Sequence, residues 1–447
     1  MLEQFLNLGR KIIPRPIFNF FQPFYHWFLA ILACLYYRFP TRKLKIIGVT
    51  GTDGKTTTTI LITSILKETG FKVGMINSLE FRIKDKIWPN KLGTTLPGRF
   101  QLQKLFFQMA KEKSDYVVLE VTSEGIAQHR ILGINFTVTA FTNLSPEHLD
   151  FHKTFKKYRE TKGKLFKKLK AKKTISIVNL DDENANYFLN FPADLKITYG
   201  IKKEADFRAK EIEFRSNFTE FILSIRFIRK TGEMLQKEIK IILPLPGQYN
   251  IYNALAASAV AFALGVNLEK IKEGLERIKG VSGRMEEIKK GQNFRVFIDF
   301  AHTPQAMQAV FEAARKMNPQ GRLISVFGSA GGRDKIKRPF MGEVAAKFTD
   351  FAILTSDDPR KENPGKICSQ IEKGFKKLGK IEDKDYKIVI DRRKAIAEAL
   401  EMAKKEDIVL ILGMGSAQVM YVGEKSIAWN DRRETERLLE EKWRRTS

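Results

Sequence analysis

The sequence predicts an α/β protein: a mainly parallel sheet with an antiparallel subsheet, followed by a smaller, doubly wound, Rossmann-like unit. Three observations carry that expectation. Apolar strand-like runs alternate with helical patterns from residue 45 to about 179. A stretch of alternating polar and apolar residues over 207–243 interrupts the rhythm. Strand–helix alternation then begins again after residues 280–283. Parallel strands need crossover connections, so this alternation is the mark of a sheet covered by helices.

Each element follows from its local pattern. Residues 45–50 form a short apolar strand, and the helix behind it runs to about Thr69, with Gly70 as its stop. Further strands are expected at 116–121, 136–142 and 174–179. The 207–243 stretch supplies two or three antiparallel strands, and a helix at about 252–264 closes the unit. Beyond it, strands at 296–299, 323–327, 351–355, 387–390 and 408–412 alternate with helices. The expected division is an aromatic N-terminal segment over 1–43, a central unit over 44–280 and a C-terminal unit over 281–447.

A chain of 447 residues with 43% hydrophobic and 29% charged side chains is globular, not disordered or fibrous. Two cysteines, Cys34 and Cys368, exclude a disulfide scaffold and a zinc site built on thiolates, and they fit a reducing cytoplasm. A net charge of +27 points to an anionic partner or to solvated lysine-rich faces. The densest cationic run, over 167–173, lacks interleaved aromatics, so nucleic acid is not an expected partner.

Residues 17–40 read IFNFFQPFYHWFLAILACLYYRFP. Their uninterrupted apolar core, over 27–37, falls well short of the roughly 20 residues that span a bilayer. Pro16, Pro23 and Pro40 are expected to break longer helices. No small-residue cleavage site follows, which argues against a signal peptide. Arg10, Lys11 and Arg15 flank the segment on one side, and Arg38, Arg42, Lys43 and Lys45 on the other. Aromatics with flanking cations suit an interfacial helix, over 12–43, lying on an anionic membrane. A helix packed on the protein's own core, or at a dimer contact, has the same composition.

The strongest local signal is Gly48-Val-Thr-Gly-Thr-Asp-Gly-Lys-Thr56, between strand and helix, the context a phosphate-binding loop requires. Its glycines let backbone amides approach phosphate oxygens, and the helix N-terminus adds partial positive charge. ATP is the expected ligand, held by Gly51, Thr52, Asp53, Gly54, Lys55, Thr56 and Thr57. Lys55 neutralises the terminal phosphates, and the Thr56 hydroxyl is placed for Mg2+. One departure is the first glycine, at position 48 where the general pattern has it at 49.

This loop and the segments behind it resemble the Mur ligase family. The loop wording Gly-Thr-x-Gly-Lys-Thr-Thr is shared with the related folylpolyglutamate synthetases, and the downstream segments separate the two. Those segments are Glu120-Val-Thr-Ser-Glu-Gly-Ile-Ala-Gln-His-Arg130 and Phe141-Thr-Asn-Leu-Ser-Pro-Glu-His-Leu-Asp-Phe-His152. Asn253-Ala, Gly283-Arg-Met-Glu286, Asp299-Phe-Ala-His-Thr-Pro304, Arg333-Asp, Lys337-Arg-Pro-Phe-Met-Gly342 and Asp357-Asp-Pro-Arg360 follow in the family's order. They are most similar to the branch that adds the third residue of the peptidoglycan stem peptide.

The resemblance implies ATP-dependent formation of an amide bond through an acyl phosphate. It implies magnesium ligands in Thr56, Glu120 and His148, and a carbamylated Lys162, with Lys164 as the alternative lysine. It implies an adenine contact for Asn253 and ATP contacts from the second unit by Arg284, Asp299, His302 and Lys337. Thr94, Thr95, Thr122, Gln128 and Arg130, with Arg333, Asp358, Arg360 and Gly413, fall at substrate-binding positions. The partners implied are a muramoyl-peptide precursor and a free amino acid.

Three departures bear on the substrate. About 45 residues precede the phosphate loop, so the family's uridine-diphosphate-binding domain is not expected in this chain. Glu124 stands where the family has histidine, and Thr122 where it has serine. Asp357-Asp-Pro-Arg360 replaces Asp-Asn-Pro-Arg, and Gly413-Met-Gly-Ser-Ala417 replaces Gly-Lys-Gly-His-Glu. Arg360 keeps a fork for a distal carboxylate, which favours diaminopimelate. Ala417 removes an expected anion and leaves lysine or another amino acid open. A lipid-linked acceptor, or a membrane-associated subunit without turnover, also remains open.

Overall fold

The computed structural model describes residues 15–169, 173–215, 217–228 and 232–446. The cationic run over 167–173 and the segment over 1–43 therefore lie partly outside the described residues. The larger sheet has eleven strands. They are β1 (Lys45–Thr50), β2 (Val73–Ile76), β3 (Glu80–Ile83), β4 (Lys86–Pro89), β5 (Tyr116–Glu120), β6 (Phe136–Phe141), β7 (Ile175–Asn179), β8 (Leu195–Gly200), β9 (Phe207–Phe214), β10 (Thr219–Ile228) and β11 (Met234–Leu243). Their order is β11-β10-β9-β8-β7-β6-β1-β5-β2-β3-β4. The centre is parallel, and both ends turn antiparallel: β9–β11 at one edge, as the alternation over 207–243 predicts, and β2–β4 at the other.

The central strands are apolar on both faces because both are covered. Ile47 and Val49 of β1 pack with Leu61, Ile62 and Ile65 of the helix Lys55–Glu68 and with Ile251 and Leu255 of the helix Gln248–Ala263. Ile46 faces the other way, toward Leu102 and Phe106 of the helix Arg99–Lys111 and Leu165 and Phe166 of the helix Phe155–Phe166. Burial on both sides explains why β1 and β5 read as continuous apolar runs.

The second sheet has the order β12-β13-β17-β14-β15-β16. Its strands are β12 (Glu286–Ile288), β13 (Arg295–Asp299), β14 (Leu323–Phe327), β15 (Phe351–Leu354), β16 (Tyr386–Ile388) and β17 (Ile408–Leu412). Only β12 is antiparallel to its neighbour. A hairpin of β18 (Val419–Val422) and β19 (Lys425–Ala428) follows, and the helix Asp431–Thr446 closes the described chain.

One expectation fails. The amino-terminal helix runs from Arg15 to Tyr36 straight through Pro23. A proline inside a helix removes one hydrogen bond. Here the turns that follow it are held by packing of His26, Ala30, Ala33 and Cys34 on the body of the protein. Among the described residues, no helix is long and apolar enough to cross a membrane.

The C-terminal helix is fixed by a buried ion pair. Arg392 donates from Nε and Nη2 to the two Asp431 carboxylate oxygens at 2.8 and 2.7 Å, and from Nη2 to the Leu412 carbonyl at 2.9 Å. Trp429 Nε1 adds a bond to Asp431 at 2.8 Å. Asp431→Ala leaves the guanidinium buried and uncompensated, so it should lower stability by about 3–5 kcal/mol, as breaking one side of a buried pair does. Urea unfolding measures this, and a loss below about 1 kcal/mol would show that the pair is dispensable.

Candidate active site

The site begins where β1 ends. Thr50 Oγ1 donates to the Val121 carbonyl at 2.9 Å, joining the ends of β1 and β5. Thr52 N donates to the Asn143 carbonyl at 2.8 Å and Asp53 N to Asn143 Oδ1 at 2.9 Å. Gly54 caps the helix Lys55–Glu68 at φ +79, and a Cβ there would lie 2.3 Å from Asn253 Oδ1. Only glycine accepts both the left-handed backbone and that approach. The result is a tight turn fixed at the N-terminus of the helix Lys55–Glu68, the end that carries partial positive charge.

Behind the turn, three oxygens converge. Thr56 Oγ1 is 2.9 Å from Glu120 Oε2 and 2.8 Å from Ser78 Oγ, and the Ser78 amide donates to Glu120 Oε2 at 3.0 Å. Glu120 is buried at the end of β5. Hard oxygen donors of this kind suit Mg2+, which keeps several waters and takes few protein ligands. Ser78 escaped the sequence analysis because it follows β2, a four-residue strand too short to be recognised by periodicity.

Lys162 is buried and donates to the Gly51 carbonyl at 2.6 Å, with its Nζ 4.6 Å from the Tyr158 ring centroid. Burial, and then the nearby Lys55 ammonium, push its pKa well below the usual lysine value. Lys164 is exposed. Lys55 itself folds back to the Thr52 carbonyl at 2.6 Å.

His148 has left-handed backbone, φ 55. Its ring nitrogens lie 3.7 Å from Glu124 and 3.5 Å from Glu147. Burial lowers its pKa against the pull of the two carboxylates. Glu147 is buried and bonds His302 Nε2 at 3.0 Å. Burial pushes its carboxyl up, but the His302 hydrogen bond and the charges of His148, His302 and Lys337 hold it well below the usual range. Glu147 was missed in the sequence although it directly precedes His148 in the segment quoted there.

The second unit supplies the facing wall. Asp299, at the end of β13, accepts from the Met285 and Ala301 amides, each at 2.7 Å. Burial raises its pKa, offset by Arg284, whose guanidinium sits 4.5 Å from the Phe300 ring centroid. Arg333 Nη1 reaches across to Glu124 at 3.1 Å. Two side-chain contacts, Glu147–His302 and Glu124–Arg333, therefore span the cleft.

Other candidate residues are braced by their surroundings. Asn253 is buried, with Nδ2 donating to Asn250 Oδ1 at 3.1 Å and Oδ1 accepting from Thr58 at 3.2 Å. It stands behind the phosphate loop, at the start of its helix. Arg130 donates to Gln128 Oε1 at 3.0 and 2.7 Å and to the Leu96 carbonyl. Thr94 Oγ1 donates to that same carbonyl at 3.1 Å, beside Thr95, and Thr122 accepts from the Gly125 amide at 3.2 Å. Arg99 joins them through the Gln128 carbonyl at 2.6 Å, and burial with the neighbouring Arg130 lowers its pKa to about 10.

Asp358 and Arg360 both have left-handed backbone, at φ 45 and 51, and are joined Oδ2 to Nε at 2.9 Å. The β18 residue Tyr421 donates its amide to Asp358 Oδ1 at 2.8 Å, so the β18–β19 hairpin sets this loop. Gly413 packs on Asp357: a Cβ would lie 2.0 Å from Asp357 Oδ2. Burial pushes the Asp357 carboxyl up to about 6.

A phosphate loop facing a second α/β unit across a charged cleft is the arrangement of an ATP-dependent amide-bond ligase, and comparison with known proteins agrees. Residues 49–261 match the Mur ligase middle domain and residues 283–415 the Mur ligase glutamate ligase domain. The chain belongs to the Mur ligase family.

It is 40% identical over 415 residues to UDP-N-acetylmuramoyl-L-alanyl-D-glutamate–2,6-diaminopimelate ligase 1 of Clostridium acetobutylicum, covering 92% of this chain and 82% of that one. The corresponding ligase of Caldanaerobacter subterraneus is 41% identical over 413 residues, with the same coverage. A solved 2,6-diaminopimelate ligase superposes with TM-score 0.59 at 29% identity, over 90% of this chain and 79% of that one. Folylpolyglutamate synthase of Mycobacterium tuberculosis shares the fold, with TM-score 0.69 at 16% identity, over 86% of this chain and 91% of that one.

Two substitutions test the ATP side of the cleft. Lys55→Ala should cost roughly a hundredfold in ligation rate, the scale of one positioned electrostatic donor; a rate within about tenfold of the parent would dissociate the loop from ATP chemistry. Lys162→Ala should also lose activity, and short carboxylic acids should restore part of it by placing a carboxylate in the cavity. A variant fully active without them would make the lysine structural.

Proposed function

We propose that the chain adds the third residue of a peptidoglycan stem peptide, joining a free amino acid, diaminopimelate first, to the carboxylate of a muramoyl peptide. The observation that carries this is the two-sided cleft. Residues 44–280 present the phosphate loop with Thr56, Ser78 and Glu120, and residues 281–447 close over it with Arg284, Asp299, His302 and Lys337. The side-chain contacts Glu147–His302 and Glu124–Arg333 hold the closed form. The printed names of the relatives support the substrate pair.

The chemistry follows from charge. The acceptor carboxylate takes the terminal phosphoryl of ATP, giving an acyl phosphate and ADP. The amine then attacks the acyl carbon, phosphate leaves, and the amine gives up a proton. Lys55 and the loop amides stabilise the transferring phosphoryl. Magnesium, held by Thr56, Glu120 and Ser78, with His148 at a second position, supplies charge neutralisation when bound. Burial and the neighbouring Lys55 disfavour the ammonium form of Lys162; its amine adds carbon dioxide, gives up a proton to solvent and becomes a carbamate, an anion among cations. Closure of the second unit keeps water from the acyl phosphate. ATP use and the two unpaired buried cysteines support the cytoplasm as the compartment.

Amino-acid choice centres on Arg360. Asp358 holds its Nε edge, and the paired terminal nitrogens are the edge that a distal carboxylate meets. Ala417 keeps lysine in the comparison. The decisive measurement is product mass after incubation with ATP, a muramoyl dipeptide and single amino acids. A diaminopimelate adduct is expected. Arg360→Ala should raise the KM for diaminopimelate by about tenfold or more and leave amino acids without a distal carboxylate unchanged. Equal KM values for every amino acid would remove Arg360 as the selector, and no adduct with any of them would overturn the assignment.

A further inference from the structure

The amino-terminal helix Arg15–Tyr36 has two unlike faces. His26, Ala30, Ala33 and Cys34 are buried, and their mostly small side chains bring the helix close to the body. A Cβ on Gly133 would lie 2.5 Å from Cys34 Sγ, and Thr41 Oγ1 donates to the Gly133 carbonyl at 2.7 Å. On the opposite side Phe24, Trp27, Phe28, Leu32, Leu35 and Tyr36 are exposed, by 37% to 73%. They recur at three- and four-residue spacing along one stripe, where a surface helix of a freely dissolved protein carries polar groups. Tyr37 extends the stripe to Phe107 of the helix Arg99–Lys111, with ring centroids 5.9 Å apart, and Phe107 is itself 45% exposed.

The charge around this stripe has one sign. The sequence holds no Asp or Glu between Glu3 and Asp53, while Arg10, Lys11, Arg15, Arg38, Arg42, Lys43 and Lys45 fall within that stretch. Arg38, Arg42, Lys43 and Lys45 are all exposed at the C-terminal end of the helix. A second copy of the chain would bring two cation-rimmed faces together, which like charge opposes. A bilayer crossing would strip the helix from Gly133. An anionic lipid surface satisfies both the apolar stripe and its cationic rim.

We propose that this face docks the enzyme on an anionic bilayer, with the helix axis lying in the interface. The helix packs on Arg99–Lys111, whose first residue bonds the Gln128 carbonyl at 2.6 Å. Docking therefore ties the lipid-facing helix, through Arg99–Lys111, to the Gln128 carbonyl. The proposal stands on the helix alone and does not depend on which amino acid is added.

The test uses the full chain with vesicles of phosphatidylcholine alone or with about one third phosphatidylglycerol, at low and high salt. Sedimentation with the anionic vesicles at low salt is expected, weakening at high salt and on neutral vesicles. Arg42→Glu with Lys43→Glu should weaken binding by about tenfold or more. Phe24→Ser, Phe28→Ser and Leu35→Ser together should abolish it, while melting temperature and lipid-free ligation stay at the parent's values. Retention of the parent in the supernatant at low salt overturns the proposal, as does undiminished binding of the serine variant. A lipid-free dimer that the serine variant dissolves overturns it in favour of a second copy.

Discussion

The turn after β1 must hold one backbone shape at the start of the helix Lys55–Glu68, and the rest of the molecule is arranged to keep it. Asn143, from the strand end beside it, takes the Thr52 and Asp53 amides. Lys162 reaches the Gly51 carbonyl from the helix Phe155–Phe166. Asn253 closes against Gly54 from the helix Gln248–Ala263. Three elements far apart in sequence thus meet on four residues, 51–54. Each needs its own strand or helix in place, which is why the parallel centre of the large sheet is buried on both faces. A loop braced this way loses little entropy when phosphate arrives.

The charges of the cleft are organised by burial as much as by pairing. Lys162 and Lys55 sit close, and the low-dielectric surroundings resolve the conflict by depressing the buried ammonium. The hydrogen bond with His302 of the other unit and the charges of His148, His302 and Lys337 hold the Glu147 carboxyl well below its usual range. The charge of Glu147 in the first unit therefore depends on residues of the second.

Much of this was legible in the sequence where one residue's type dictates one geometry. The strand–turn–helix at 45–68 and the antiparallel edge over 207–243 follow from periodicity and glycine placement. The second unit follows from the restart of alternation after 280. What escaped has physical reasons. Strands β2 to β4 are only four residues each, and β3 and β4 carry charges, so no period develops. Ser78 and Glu147 gain their places only through tertiary contacts with Thr56, Glu120 and His302. Pro23 lies inside a helix because docking of the turns behind it overrides a local penalty. Asn253 was singled out by its residue type, and its side-chain amide bonds Thr58 and Asn250 behind the loop.

The Arg392–Asp431 pair has a consequence for synthesis. Ribosomes deliver the chain from its amino terminus, so Arg392 emerges before the carboxylate that neutralises it. Until the segment around Asp431 is released, the end of β17 faces an uncompensated guanidinium, and the second sheet lacks its last cover. The first unit, with its own core, is complete much earlier. Assembly is therefore ordered along the chain: the nucleotide-facing half can be complete before the half that closes over it gains the helix Asp431–Thr446.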